Sequence, residues 1–559
     1  MKNKLKTFGA LSLSLIAATS LASCRGGRDK IDNDPKTINV RLFKRGFGED
    51  FIYDLRDQFE SLYAAEGYKM NILTPSPDNG GIQMVQEMSS GRGIDLYVIG
   101  NVNPDMVSDA GEYGEVAEDI EELVYNQTSI DYQGNEGKTI KELINPDIEQ
   151  FLRADNGKMY GFAWAQASAG LVINSKKLAK FGINEVPRTT KEFMTACQKI
   201  YEKYDGNKNT TRPLTYTISN SSYSDCAFQQ WFAQLGIDKF NEYCRFQNKT
   251  ETGWTDMTSI DAVFNDEDLY ESIVEAYRFM DPYLAAKGSV SQDLDQAQQK
   301  LIDNGGKDDA VFMFNGDWFL NEIKENFPNL LDQFAFANIP VISKLGEKIF
   351  CNAPYNKTED GADELLSFAC KLVDENKTEQ EIKTAFKSEK NVELSDEDLK
   401  TLCDARGLSY ARGPEHLAFI PKASEKKDIS ALALRMMASN DFAQTFMDTA
   451  NCSTPYAVDV VVPGSNKFIQ DAKDICSNTY YRAIRALARG KRTRVGMGTF
   501  YPGCNLLSQE IGTLANPVTI YDGKGGYNGN TDSVYQEAAR KFFNKMKTNA
   551  LETWATKNK

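Results

Sequence analysis

The chain has 559 residues, with 79 acidic against 64 basic side chains and a formal net charge of −15. Such a surface repels nucleic acid and anionic lipid headgroups, while the length suffices for two or three domains of ordinary size. One histidine, His416, excludes H-E-x-x-H and multi-histidine metal sites, and ten cysteines without a C-x-x-C pair exclude zinc-ribbon and thioredoxin motifs.

In chain order, a basic start with Lys2, Lys4 and Lys6 precedes the apolar run Phe8 to Ala18 and the residues Leu21-Ala22-Ser23-Cys24. The run is long enough for a secretory signal and too short to span a bilayer. Small residues before a cysteine in this setting resemble a lipobox. That resemblance implies cleavage before Cys24 and diacylation of its thiol, which would leave a body tied to the outer face of a cell membrane. An ordinary signal peptide with a chance cysteine is the alternative. Residues 1–23 carry three lysines and no acid, so their removal takes the charge from −15 to −18. With Cys24 lipidated an odd number of cysteines remains, and most of them read as small buried apolar residues.

Residues 24–36 are polar and read as a tether. Thr37 to Phe43 alternates like a strand, Gly46-Phe47-Gly48-Glu49-Asp50 breaks it, and Phe51, Leu55, Phe59 and Leu62 mark one stripe of a helix. Met70 to Leu73 predicts a strand, Ile82 to Ser89 a helix and Ile94 to Ile99 a buried strand. This alternation predicts a parallel sheet with helices on its faces. Strand-like stretches follow over Tyr160 to Asn174. A helix capped by Thr190 follows them, then a strand over Asp308 to Phe314 and a helix over Trp318 to Glu325. The rest comprises an extended segment over Ala335 to Ile342, a strand over Leu417 to Ile420, a long helix over Ser430 to Phe446 and a helix over Val534 to Met546. Asn376 to Gly407 is rich in charge, with helix starts at Thr378-x-x-Glu381 and Ser395-x-x-Asp398, and reads as a surface helical insertion.

Several catalytic patterns fail on inspection. Gly134 to Thr139 resembles a P-loop, but Tyr132 stands where its first glycine is needed. Gly46-x-Gly48 lacks a third glycine at Phe51. Ala167 to Gly170 lacks the first glycine of a nucleophile elbow. Ser424-x-x-Lys427 has no accompanying motif, and Asn528, Asn530 and Asp532 lack a downstream bidentate glutamate. No cofactor or metal is implied, and nothing supports an enzyme.

Two segments carry a specific resemblance. Gly157-Lys158-Met159-Tyr160-Gly161-Phe162-Ala163-Trp164-Ala165-Gln166 continues through Gly170 to Leu178 and on to Phe193. The second is Ala310-Val311-Phe312-Met313-Phe314-Asn315-Gly316-Asp317-Trp318-Phe319. Both resemble the extracellular solute-binding proteins of ABC sugar importers, the family of maltose-binding protein. Leu417 to Lys422, with the helix after it, is a looser third likeness. The resemblance implies an α/β fold of two lobes with a ligand cleft between them. Lobe 1 would take 37–155 and 341–448, including the insertion 376–407, and lobe 2 would take 156–340 and 449–559. Crossings between lobes are expected near Arg153–Tyr160, Asn338–Ser343 and Asp448–Tyr456.

It further implies a carbohydrate ligand, hinge closure, permease subunits with a cytoplasmic ATPase as partners, and a monomeric, membrane-anchored extracellular protein. A sugar needs aromatic platforms for its C–H faces and short polar side chains for its hydroxyls. In open α/β sheets such groups gather at the carboxyl ends of strands. Trp318, whose counterpart in the family stacks on sugar, and Trp164 are therefore candidate platforms. Asp317, Asn315, Asp225, Phe228, Asn101 and Asp50 are further candidate ligand contacts. Each has a structural alternative, as core residue or helix cap. Trp231, Trp254 and His416 are assigned structural roles. A surface glycan hydrolase, a binder of peptide or polyamine, and an adhesive lipoprotein remain open readings.

Overall fold

A computed structural model describes residues 30–42, 46–74, 81–98, 104–110, 113–130, 134–149, 151–154, 156–203, 210–216, 223–245, 247–251, 253–259, 261–264, 267–279, 281, 293–302, 309–411, 416–484, 493–495, 498–500 and 532–557. The lipobox with Cys24, the candidate Asn101 and most of 485–531 lie outside the described residues.

The strands in chain order are β1 (Thr37–Leu42), β2 (Lys69–Ile72), β3 (Leu96–Val98), β4 (Phe162–Ala163), β5 (Ser168–Asn174), β6 (Arg212–Leu214), β7 (Gln247–Thr250), β8 (Gly253–Asp256), β9 (Ala310–Gly316), β10 (Phe334–Ala337), β11 (Leu408–Ala411), β12 (Leu417–Phe419), β13 (Arg482–Ile484), β14 (Thr493–Val495) and β15 (Gly498–Phe500), the last two an antiparallel pair of their own. They form two main sheets, and β7 and β8 make a separate hairpin. The first sheet has the order β2-β1-β3-β12-β4. β1 runs parallel to both β2 and β3, while β12 is antiparallel to β3 and β4. The second has the order β13-β11-β5-β9-β6, with β10 also paired to β5. The expected helix-covered sheets are present. Ile38 and Val40 of β1 are fully buried and Leu171, Val172 and Ile173 of β5 form a continuous apolar run, as strands covered on both faces require.

Alternation along β5 and β9 divides the second lobe into layers. Leu171, Ile173, Phe312 and Phe314 face one apolar cluster, packed by the helices Thr190–Tyr201, Tyr223–Leu235 and Glu267–Phe279. Val172 and Met313 face another, with Phe319, Phe334 and Phe468. The first lobe packs the helices Asp50–Leu62, Lys427–Met437 and Asn440–Ala450 on its sheet.

The division of the chain differs from the sequence expectation between 341 and 411. The helices Ser343–Phe350, Glu359–Asp374 and Asp396–Gly407 pack into the second lobe's cluster, and β11 pairs with β5 and β13. Asn338 to Ser343 therefore stays within the second lobe. The first lobe regains the chain at 416, so the crossing follows β11. The first crossing lies at 163–168, between β4 and β5, because Arg153 and Met159 still pair within the first lobe. Near the third expected crossing, Gln166 bridges Ser453 and Ile144 bridges Tyr456.

Local capping accounts for two smaller shifts. Thr189, not Thr190, caps its helix, its side chain accepting from the Glu192 N–H. The expected single helix over 430–446 is two helices, because Ser439 accepts from the Phe442 N–H and starts a new one. Residues 30–36 are also held more firmly than a tether. Asn39 Nδ2 donates to the Asp32 carbonyl, Asn71 Nδ2 to the Lys30 carbonyl, and Ile31 packs on the first core. Of the eight described cysteines, seven are buried.

Candidate functional site

The carboxyl end of β1 and the carboxyl end of β9 approach each other across the lobe boundary. From the first lobe comes the Gly46-Phe47-Gly48 turn, and from the second comes Gly316-Asp317-Trp318. Phe47 is the centre of the seam. Its ring centroid lies 5.5 Å from Trp164, 5.9 Å from Trp318 and 4.8 Å from His416, in edge-to-face arrangements with each. Trp164 also stacks on Phe51 at 5.2 Å and lies 5.3 Å from His416.

Two glycines are required by this packing. A Cβ on Gly46 would stand 2.7 Å from Trp318 Cδ1, and one on Gly316 would stand 2.3 Å from the same indole. Asn321 Nδ2 donates to the Gly46 carbonyl and holds the turn against the second lobe.

Polar groups surround the indole. Asp317 is 2% exposed. Its carboxyl accepts from the Ser168 N–H at 3.1 Å and from the Cys452 thiol at 3.8 Å. Burial nevertheless dominates and pushes the Asp317 carboxyl up to about 7. Glu322 is likewise raised to about 7 by burial, opposed by hydrogen bonds from Gln298 and Trp318. Asn315 is fully buried. Its Oδ1 accepts from the Gly316 N–H, while its Nδ2 has no hydrogen-bond partner. A buried amide donor left unpaired is costly in a finished core and useful where a ligand oxygen is to be received.

Of the eight candidate contacts, Trp318, Trp164, Asp317 and Asn315 come together here. Phe228 does not: it is 1% exposed within the second lobe's own core. Its helix Tyr223–Leu235 uses that face to pack on β9 and β11, so the ring is consumed by the fold. Asp50 opens the helix Asp50–Leu62 and is exposed beside the seam. The side chain of Asp225 lies outside the described residues, as does that of Trp254. Trp231 is core, donating its Nε1–H to the Pro340 carbonyl.

The sequence reading missed Phe47 and His416. Both follow from strand order alone once the register is known. β12 runs antiparallel to β3, which brings His416 to the same sheet end as the β1 turn. A separate cavity of about 630 Å³ lies beside the crossings, lined by both lobes, and includes Gln166, Thr454 and Tyr481.

The family described as bacterial extracellular solute-binding protein matches residues 57–369, over half of the chain. The chain belongs to this family. The melibiose/raffinose/stachyose-binding protein MelE of Bacillus subtilis (strain 168) is 24% identical over 232 residues, 40% of this chain and 45% of that protein. The likeness thus spans under half the length of that relative. Among solved structures, a chitin oligosaccharide binding protein covers 92% of this chain and 99% of its own at 12% identity, with a TM-score of 0.53. RafE in complex with raffinose covers 91% and 99% at 14% identity, TM-score 0.52. The solute receptor AcbH, described as preferring β-D-galactopyranose, covers 92% and 99% at 11% identity, TM-score 0.54. The fold is accordingly that of a two-lobed periplasmic binding protein.

Proposed function

We propose that this protein captures a carbohydrate between its lobes and delivers it to the permease of an ABC importer, while anchored through a lipid on Cys24 at the outer face of the cell membrane. The observation that supports the reading is the end of β9, where Asn315 with its unpartnered amide, Asp317 and Trp318 follow within four residues and the Trp318 ring lies 5.9 Å from Phe47 of the other lobe. An indole face suits sugar C–H groups, and an amide and a carboxyl suit sugar hydroxyls. Relatives named for melibiose, raffinose and chitin oligosaccharides support the same ligand class.

In this arrangement Phe47 occupies the space over Trp318. A ligand enters when the seam parts, and the lobes close again on it because it touches both. Trp164 serves as a second platform, with Asn101, Asp225 and Asp50 as polar contacts. Phe228 supports the lobe from within. The chain acts as a monomer and carries out no bond cleavage.

Thermal shift across melibiose, raffinose, stachyose, maltotriose, chitin oligosaccharides, peptides and polyamines tests this, since a ligand selective for the native state raises the melting point. A neutral oligosaccharide is expected to give the shift. A shift only with peptide or polyamine overturns the ligand class, and hydrolysis of the bound sugar overturns the binding role in favour of a glycan hydrolase.

A further inference from the structure

We propose that a second small-molecule site lies beside the lobe crossings, and that it takes an uncharged, polyhydroxylated molecule of di- to trisaccharide size. The cavity there measures about 630 Å³, inside the range of roughly 300–1,000 Å³ usual for ligand pockets. It is built from three parts of the chain. Asn145 and Asp147 come from the first lobe, Gln166 and Thr454 from two crossings, and Ser477 and Tyr481 from the second lobe. It shares no residue with the seam formed by Phe47, Trp164, Trp318 and His416.

The lining decides the chemistry. Its charged groups are Glu142, Asp147, Lys473 and Arg482, two of each sign. Arg482 stands 3.9 Å from Asp147, so one pair is already matched across the lobes. No net charge is left to select an ionic ligand. The remaining polar lining is mainly amide and hydroxyl, with Asn145, Gln166, Ser453, Thr454, Ser477, Asn478 and Thr479. Thr454 is buried, and its Oγ1 has no partner. Such short neutral donors and acceptors, with Tyr456 and Tyr481 beside them, fit sugar hydroxyls and C–H faces.

The position couples the two sites. Ser168 gives its N–H to Asp317 at the seam, while its hydroxyl lies 3.6 Å from the Cys476 thiol, and Cys476 lines the cavity. Gln166 donates to the Cys476 carbonyl at 3.1 Å. An occupant touching both lobes and two crossings holds the lobes in the arrangement in which Phe47 packs on Trp318. By linkage, a ligand that must part that seam then binds more weakly, and the weakening is reciprocal.

The inference rests on the carbohydrate reading only for the class of its occupant. Hydrogen exchange of the full chain with millimolar raffinose or maltotriose tests it, on the unsubstituted protein, Ser477→Trp and Trp318→Ala. Exchange over 453–458 and 473–482 is expected to slow several-fold, to do so still in Trp318→Ala, and to lose that response in Ser477→Trp, whose indole fills the cavity. The response over 47–62 and 316–323 should survive Ser477→Trp, which also reports that this variant is folded. Protection confined to 47–62 and 316–323 overturns the second site and leaves the carbohydrate reading standing. Protection at the cavity that survives Ser477→Trp overturns the site as placed. Protection nowhere, with either sugar, overturns the second site.

Discussion

The Asp317 carboxyl accepts a hydrogen bond from the Ser168 N–H, while the Asp317 N–H donates to the Ser168 carbonyl at 3.0 Å. This reciprocal pair joins the residue before Trp318 to the first residue of β5, where the chain has just crossed between lobes. The indole at the seam and the crossing strand are thus held by one buried side chain.

That carboxyl should make stability depend on pH. Burial raises Asp317 from 3.8 and Glu322 from 4.5, each to about 7. In the folded chain both hold protons that the unfolded chain releases at lower pH. Their contribution is fully present below the ordinary carboxyl values and is lost as pH rises through 7. Glu115 and Glu121, held at about 2 by lysine and arginine partners, titrate well below this window. The urea midpoint is expected to fall between pH 5 and pH 8, and to fall less in Asp317→Asn. An equal fall in both proteins would remove Asp317 as a source.

Trp318→Ala should weaken ligand binding and also destabilise the fold, because the indole is both packed and placed at the lobe boundary. Loss of a large aromatic side chain from a core costs about 3–5 kcal/mol. Loss of an anchor at a binding site commonly costs about 2 kcal/mol, more than tenfold in affinity. Trp318→Phe keeps much of the packing and loses the indole bond to Glu322. Calorimetry beside denaturant melts of both variants separates the effects. Full affinity in a destabilised Trp318→Ala would return the indole to a purely structural role.

Phe47→Ala removes the ring that joins Trp164, Trp318 and His416. The seam should then open more often without ligand, giving a larger radius of gyration in small-angle scattering. Affinity for the sugar should rise, since a larger fraction of the protein is competent to bind. A lower affinity with unchanged scattering would instead make Phe47 a ligand contact.

Much of the architecture was legible from residue patterns. The alternation from Thr37 and the apolar runs from Ile94 and Ala310 announced strands, the runs because those strands are buried on both faces, and the two segments containing Trp164 and Trp318 carried the family resemblance. The seam at the lobe boundary was partly legible. Trp318, Trp164, Asp317 and Asn315 gather at one place because they lie on the β4–β5 crossing and at the end of β9. Phe228 misled, since an apolar residue on a helix reads alike whether the face meets a cleft or a core. Phe47 and His416 were missed because their meeting depends on strand order between segments far apart in sequence. The lobe assignment of 341–411 failed for the same reason: β11 pairs with β5, and no local pattern encodes that partner.

The same misassignment changes what the helices of 376–407 are expected to do. They look like a solvated insertion, and much of their surface is. Yet Phe386, Leu399, Leu402 and Cys403 are buried in the second lobe's core. Arg406 is 3% exposed and meets Asp374 through two nitrogens, at 2.7 and 2.9 Å. Removing Arg406 takes both of these bonds from Asp374, which keeps Arg188 at 3.7 Å, at a cost of about 2 kcal/mol. Arg406→Ala should therefore lower the unfolding free energy by that amount, read as a lower denaturant midpoint at an unchanged slope. Arg406→Lys should restore only part of it, because an ammonium cannot make the two-pronged contact. Ligand affinity should change little in either variant, since Arg406 contacts neither Trp318 nor Phe47 and lies on the second lobe away from the seam. An Arg406→Ala midpoint within experimental error of the unsubstituted protein would show that the segment is the detachable surface element its composition suggests.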